Sequence, residues 1–245
     1  MKWCRIAIAA VIQCAIQTAS AQEYPAWFLN QGVLRCGRTV VGFANTAFYK
    51  DSAIAFALRN GAEDAGRMAK TKIQGGQIYW STEGGTFWMG ADFREQFDSS
   101  AAQTALTSFT PIDTFISSSL VLVLFANAPC ELDVALRSHG RINARAPSWT
   151  ETIPRDTNYL YAVGIAPEYY YEISSWREAE RIARRNLAGN VHIKIRALQK
   201  LTAYEGQDIR HEEISVTLKD IQVVARWRDL GKKIFYVLIR MPNAP

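Results

Sequence analysis

The histidines are the side chains of this sequence best suited to metal binding or acid–base catalysis, but their spacing argues against a shared site. His139, His192 and His211 are far apart along the chain. None stands four residues from another or beside a cysteine pair, the spacings that metal sites use. The sequence also lacks a nucleophile elbow, a Walker loop and the glycine pattern of dinucleotide-binding turns. We therefore predict no enzymatic activity, no metal and no cofactor.

A row of arginines is the first candidate for a binding surface. Four of them recur at spacings that place several on one flank of a predicted helix: Arg177, Arg181, Arg184 and Arg185. Such a flank fits an anionic envelope partner such as lipid headgroups, lipopolysaccharide or an acidic protein face. The alternative is a solvated helix face on which Glu178 and Glu180 pair with these arginines.

Aromatic side chains form two further candidates for partner binding. Three tyrosines follow one another in a predicted turn, Tyr169, Tyr170 and Tyr171, and a predicted β-hairpin contains Tyr79, Trp80, Phe87 and Trp88. Tyr and Trp are favoured at protein interfaces because they bury a large area and keep a polar group. The alternative is that these rings pack onto their own sheet or helix.

The first 21 residues have the features of a secretory signal. Lys2 and Arg5 precede an apolar run from Ile6 to Ile16, and Ala19-Ser20-Ala21 supplies a small-residue cleavage pattern before Gln22. The apolar run is shorter than the roughly 20 residues of a membrane span. We predict a cleaved signal at 1–21 and a mature chain without a transmembrane segment.

Composition and cysteine content agree with an exported globular protein. Apolar residues make up 49% of the chain, and the formal net charge of +5 falls to +3 once Lys2 and Arg5 are removed. This charge is too small to indicate nucleic-acid binding. Cleavage leaves Cys36 and Cys130, an even pair that predicts a disulfide in an oxidising compartment. Two free buried thiols are the alternative.

The mature sequence contains a weak internal repeat. An offset of 122 residues aligns Pro25-x-Trp27 with Pro147-x-Trp149, and Val41-Gly42-x-Ala44 with Val163-Gly164-x-Ala166. In each copy a short apolar strand precedes a long helix with an apolar stripe. Self-similarity at a fixed offset is the signature of a repeated structural unit.

Local signals give the boundaries of the predicted elements. We expect the first helix to begin near Asp51 and to end at Gly75-Gly76. A Ser175–Glu178 capping box predicts the start of the second helix. A hairpin is predicted at 77–93. Each copy closes with an apolar strand, LVLVLF at 120–125 and IFYVLI at 234–239, which we expect to be central in a sheet or sandwiched.

These elements predict an α+β fold of two tandem modules, each with a strand, a long helix and a small antiparallel sheet. The predicted boundaries are a signal at 1–21, a first module with a hairpin insertion at 22–131, a linker at 132–146 and a second module at 147–245.

The second module resembles the Lpp-twenty-like family of bacterial outer-membrane lipoproteins, which extends to flagellar basal-body and motility-associated envelope proteins. The likeness rests on four motifs: Pro147-x-Trp149, Tyr161-Ala-Val-Gly164, Ala183-Arg184-x-x-Leu187-Ala188, and Trp227-x-Asp229 followed by IFYVLIR. The resemblance implies a non-enzymatic envelope protein. The sequence lacks the lipid-accepting cysteine of those lipoproteins, so we expect a location in the periplasm or at the periphery of the outer membrane.

Two functions stay open from the sequence. The first is protein–protein or envelope-surface binding, with envelope proteins or the anionic envelope surface as partners; its sharper version is a role in an outer-membrane or flagellar assembly. The alternative is a periplasmic glycan or small-molecule binding protein that uses the aromatic hairpin as a stacking platform.

Overall fold

A computed structural model describes residues 23–46, 49–82, 85–200 and 212–243 of the chain. The predicted signal at 1–21 therefore lies outside the described residues. The helices are α1 (Ala26–Leu29), α2 (Lys50–Ala69), α3 (Ser99–Ser108), α4 (Val134–Arg137) and α5 (Glu172–Lys200), with 3₁₀ turns at Gln31–Val33 and Ser148–Thr150. The strands are β1 (Glu23–Pro25), β2 (Thr39–Asn45), β3 (Lys70–Thr82), β4 (Gly85–Phe97), β5 (Thr110–Ile116), β6 (Leu120–Ala126), β7 (His139–Arg141), β8 (Tyr159–Pro167), β9 (Glu212–Lys219), β10 (Gln222–Asp229) and β11 (Ile234–Pro242).

The fold is α+β, as predicted, and its strand pairings are antiparallel. The sheets of the described residues have the orders β2-β6-β5, β10-β11-β8, β4-β3-β9 and β1-β7. The apolar strands β6 and β11 are each central in a three-stranded sheet, which confirms the prediction from their sequences. A strand that is covered on both faces needs apolar side chains on both.

Each of two sheets carries one long helix, and a glycine on the edge strand lets that helix approach. A Cβ added at Gly42 in β2 would overlap the carbonyl oxygen of Ala57 in α2, and one at Gly164 in β8 would overlap that of Ala179 in α5. Both pairs are related by the offset of 122 residues. The repeated glycine therefore has a packing reason, the close passage of a helix backbone over a strand.

The Pro-x-Trp motifs also have matching local structures. Pro25 and Pro147 each precede a short helical turn in an extended conformation, in keeping with the preference of proline for the start of a helix. Trp27 is fully buried and donates a hydrogen bond from Nε1 to Oδ2 of Asp113 at 3.0 Å. Trp149 is partly buried and packs against the cluster of Val163, Ala225 and Leu238 in the β10-β11-β8 sheet.

The two halves share a core, so the tandem-module division stays a prediction. Strand β3 pairs with β9 of the other half, placing Ile73 opposite Val216. One hydrophobic cluster contains Phe43 from the first half together with Trp176 and Phe235 from the second.

The segment predicted as a linker, 132–146, is itself ordered structure. It contains α4 and β7, and β7 pairs with β1. Leu132 and Ile142 are buried in the shared core. The connection between the halves is therefore packed against the protein rather than exposed along its length.

Two predicted helix boundaries are wrong. Helix α2 ends at Ala69 rather than at Gly75-Gly76, and Lys70 begins a strand. The reason is tertiary: the segment pairs with both β4 and β9, and it includes the β-branched residues Thr71 and Ile73. Gly75 lies within β3 at a φ of 130°, where a Cβ would overlap the carbonyl oxygen of Asp92.

The predicted capping box at Ser175 is the second error. Helix α5 begins three residues earlier, at Glu172. The Ser175 hydroxyl instead accepts a hydrogen bond from the backbone N–H of Tyr169 at 2.8 Å. Helix α3, which packs beside α2, was not predicted.

The separation of the two cysteines is compatible with the predicted disulfide. The Cα atoms of Cys36 and Cys130 are 4.9 Å apart, within the usual range for a disulfide, and the two residues are bonded. The bridge ties the segment before β2 to the segment after β6.

Candidate functional site

The three consecutive tyrosines lie in the turn between β8 and α5, and all are exposed. The exposed fractions are 44% for Tyr169, 94% for Tyr170 and 54% for Tyr171. The rings of Tyr170 and Tyr171 meet edge to face, with centroids 4.8 Å apart. The hydrogen bond from Tyr169 N–H to Ser175 fixes this turn to the first turns of α5. The tyrosines are thus presented on an anchored turn.

The first half contributes to the same end of the molecule. Thr46, which follows β2, donates from its backbone N–H to Ser119 O and from its hydroxyl to Ser117 O. Ser119 in turn contacts Glu172, the first residue of α5, with 3.5 Å between their side-chain oxygens. The turn after β2, the β5–β6 turn and the tyrosine turn are therefore neighbours.

We call the exposed hydrophobic residues of these turns the strand-end surface: Tyr49, Ile116, Tyr169, Tyr170 and Tyr171. Tyr49 is 71% exposed and precedes α2, as Tyr171 precedes α5. The offset of 122 residues aligns these two tyrosines. Tyr49 was not among the predicted site residues, although its alignment with Tyr171 in the repeat was a signal for it.

The hairpin aromatics are placed only by their backbone. The β3–β4 register sets Tyr79 opposite Trp88 and Trp80 opposite Phe87. Within the described residues, β9 pairs with β3 only as far as Gln77, so these positions lie in the two-stranded part of the hairpin. The structure describes only the backbone at these positions, and the role of these aromatic residues in partner binding stays a prediction.

Three of the four arginines in the predicted row of helix α5 have partners within the protein. Arg184 is buried and donates from Nε to Glu95 Oε1 at 2.6 Å. Arg181 pairs with Glu178 one turn away, and Arg185 donates to the carbonyl oxygen of Phe93 at 3.4 Å. Arg184 is not available to an external partner, because its side chain is only 8% exposed.

The residues of α5 that contact β4 are also remote from the tyrosine turn. Arg184 stands 12 residues after Glu172, which corresponds to about 18 Å along the helix axis. Arg184 and Arg185 are therefore not part of a continuous patch with the strand-end surface.

A buried charged cluster joins the two halves. The Arg226 guanidinium, with no exposed side-chain area, donates from Nη2 to Glu180 Oε1 at 2.7 Å and from Nη1 to Phe28 O at 3.0 Å and Gln31 Oε1 at 2.9 Å. Burial lowers the pKa of Arg226, while the neighbouring Glu180 raises it. The nitrogens Nε, Nη1 and Nη2 of this guanidinium therefore hold the N-terminal segment, α5 and β10 together.

Asp64 in α2 is a second buried charge near this cluster. Its Oδ1 accepts a hydrogen bond from Arg67 at 2.7 Å, whereas its buried Oδ2 has no partner among the described residues. Burial, and secondarily Glu180, raise the pKa of Asp64 to about 6. The negative charge of the ionised carboxylate is therefore only partly balanced by its surroundings.

A cleft of about 540 Å³ lies at the junction of the two halves, and we call it the junction cleft. Its walls come from the loop before β2, from α2 and α3, from the β9–β10 turn and from the start of β10 and the end of β11. The cleft borders the start of β2 at Thr39, whereas the strand-end surface follows the end of β2 at Asn45. The two features therefore lie at opposite ends of the same strands.

Within the described ranges, no group of three or more His, Cys, Asp or Glu side chains is arranged to hold a metal ion. His139 is placed edge to face against Phe115, with ring centroids 4.9 Å apart. No helix in the described part of the chain is both long and apolar enough to cross a membrane.

No protein-family model, no curated protein and no solved structure matches this chain. The likeness to the Lpp-twenty-like family stays a prediction from the motifs quoted above.

Proposed function

We propose that this chain is an exported, non-enzymatic protein of the bacterial cell envelope that acts by binding another protein through the strand-end surface. The observation that carries the proposal is the exposure of Tyr170, at 94%, beside three further exposed tyrosines from both halves of the chain. Most large apolar groups of a soluble domain are buried, so a group of exposed rings marks a contact surface.

The chemistry of tyrosine supports a protein partner. Each ring buries a large area at a low entropic cost, and its hydroxyl still forms a hydrogen bond at the rim of an interface. The anchored turn also supports the proposal, because a rigid contact segment loses less entropy on binding.

The envelope location is supported by the signal pattern at 1–21 and by the Cys36–Cys130 pair, since structural disulfides belong to oxidising compartments. The resemblance of the second half to Lpp-twenty-like proteins supports a sharper version, in which the partner belongs to an outer-membrane or flagellar assembly.

Site-specific photo-crosslinking in intact cells tests the proposal. A photoreactive phenylalanine analogue replaces Tyr170 in one strain and Tyr49 in another, so that the two halves are probed separately. We expect both positions to give an adduct with the same partner, identified by mass spectrometry. Val134 in α4, which is also well exposed but lies outside the strand-end surface, is the matched control.

The two outcomes separate clearly. A common adduct at positions 170 and 49 that is absent at 134 supports the proposal. Equal labelling at all three positions, or no adduct at 170 while the protein is present in the envelope at its normal level, would refute it.

Small-molecule or glycan binding is a second candidate, and the junction cleft favours it. A ligand-induced change in tryptophan fluorescence that disappears in a Trp80/Trp88 double substitution supports the glycan version. A change that persists in that double variant assigns the ligand to a site other than the hairpin.

A further inference from the structure

We propose that the junction cleft is a binding site for an amphipathic anion, a molecule with an apolar body and a carboxylate or phosphate head. The volume of about 540 Å³ is within the usual range of small-molecule sites. The proposal goes beyond the protein-binding function, because it concerns the opposite end of the strands and a different class of ligand.

The floor of the cleft is apolar. It includes Val40, Met68, Ala105, Ile221 and Val223, which are buried in the protein core. They come from both halves of the chain. An apolar ligand body that covers this floor loses contact with water, which contributes roughly 25 cal/mol for each Å² of apolar surface buried.

A smaller cavity extends this apolar floor between α2 and α3. It has a volume of about 110 Å³ and shares Val40, Ala65, Ala105 and Phe109 with the lining of the junction cleft. Its far side is formed by Leu58 and other apolar residues. The apolar part of a ligand therefore has a direction in which to extend, away from the polar rim.

Arg240 supplies the charge for the head group. Its Nε donates to Gln222 Oε1 at 2.9 Å, and its guanidinium lies over the ring of Tyr159 at 4.5 Å from the centroid. Among the described residues, no carboxylate pairs with Arg240, and none accepts a hydrogen bond from its terminal nitrogens. An oriented guanidinium with free donors is suited to a carboxylate or a phosphate.

The other charged residues of the lining neutralise one another. Arg38 forms an ion pair with Asp220, which joins the loop before β2 to the β9–β10 turn. The lining therefore has a net positive charge from Arg240. This charge favours an anion over a neutral sugar and opposes a cation.

The rim on the side of the first half is fixed in place before any ligand binds. Cys36 is bonded to Cys130, and the next residues meet Asn127, whose Oδ1 accepts from the backbone N–H of Arg38 at 2.8 Å. Gly37 adopts a φ of 68° in this turn, a conformation that favours glycine. A rim that is already ordered reduces the entropic cost of binding.

Ligand-observed NMR titration of the oxidised mature chain tests this site with four probes. The probes are octanoate, octyl phosphate, octanol and acetate, all used below micelle-forming concentrations. We expect at least one of the two eight-carbon anions to bind about tenfold more tightly than octanol, the gain typical of a hydrogen bond to a charged group. The stronger of the two identifies the head group, and acetate alone should show no saturable binding.

Three variants locate the binding. Arg240→Gln should reduce the affinity of the anions to that of octanol. Ala101→Leu, which enlarges a half-buried residue of the cleft wall, should weaken the anions and octanol together. Arg94→Gln is the matched control, because it removes the same charge from a side chain that is 79% exposed on β4 and should change no affinity.

Several results would overturn the assignment. These are equal binding of octanol and both anions to the folded protein, an anion preference that survives Arg240→Gln, and affinities that are unaffected by Ala101→Leu. Circular dichroism of each variant establishes that it is folded, and the strand-end surface is unchanged in all of them. Failure of this site therefore leaves the protein-binding proposal standing.

Discussion

Substitution of Asp64 by Asn should change how stability depends on pH. The pKa of this carboxyl is raised from 3.8 to about 6 in the folded protein, mainly by burial. The folded state therefore holds the proton more tightly than the unfolded state. As pH rises from about 4 to about 6, ionisation of this carboxyl lowers the free energy of unfolding. The loss of stability is complete above pH 6.

The magnitude follows from the two pKa values. A difference of about two units at 1.36 kcal/mol per unit corresponds to about 3 kcal/mol of stability lost between acid and neutral pH. Asn has nearly the same shape, and its side-chain oxygen can still accept from Arg67, but it cannot ionise. The variant should therefore match the native protein near pH 3.5 and exceed its stability by about 3 kcal/mol near pH 7.

Urea unfolding followed by tryptophan fluorescence measures this difference at a series of pH values. Asp51→Asn is the control, since Asp51 is an exposed carboxylate at the start of the same helix. Removal of that charge should cost about 0.3–1 kcal/mol at neutral pH, the opposite sign, because carboxylates stabilise helix N-termini. A stability difference between Asp64→Asn and the native protein that is independent of pH would refute the reasoning.

Three further substitutions test the packing. Gly164→Ala should destabilise by about 1–3 kcal/mol in urea unfolding because its methyl group overlaps α5, whereas Gly189→Ala, where a Cβ meets nothing within 4 Å, should gain up to about 1 kcal/mol. Replacing Cys36 and Cys130 together by Ala should lower the free energy of unfolding by about 2–5 kcal/mol, and no change would contradict a bonded pair in the mature protein. Glu180→Gln should cost about 3–5 kcal/mol because it leaves a fully buried guanidinium without its counter-ion, and a loss below 1 kcal/mol would show that the pair is solvated.

The strands of the two halves were predictable because their sequences carry a local signal. Runs such as LVLVLF and IFYVLI are apolar and rich in β-branched or aromatic residues, and they are the central strands β6 and β11. Ends of elements were less predictable. Ile73 continues the helical spacing of Ala65 and Ala69, yet it belongs to β3, because its pairing partners in β9 lie more than 130 residues away in the chain.

The candidate sites also differ in how far the sequence could predict them. The tyrosine turn is contiguous in the sequence, so its exposure between a strand and a helix could be anticipated. Arg184 could not be placed, because the spacing of arginines on a helix does not reveal that β4 covers that flank and supplies Glu95. The junction cleft was out of reach as well, since its lining runs from Gln31 to Arg240 and exists only in the folded chain.

The buried charges explain how a cleft between two halves keeps one shape. Apolar contacts are non-directional, so a core alone allows the halves small shifts against each other. The Arg226 guanidinium has a fixed planar geometry, and its bonds to Glu180, Gln31 and the carbonyl of Phe28 are satisfied together in one arrangement of α5, β10 and the N-terminal segment. Gln31 also lines the junction cleft and donates to Thr39 O at 2.9 Å. The same contacts that hold the halves in register therefore also position one wall of the cleft.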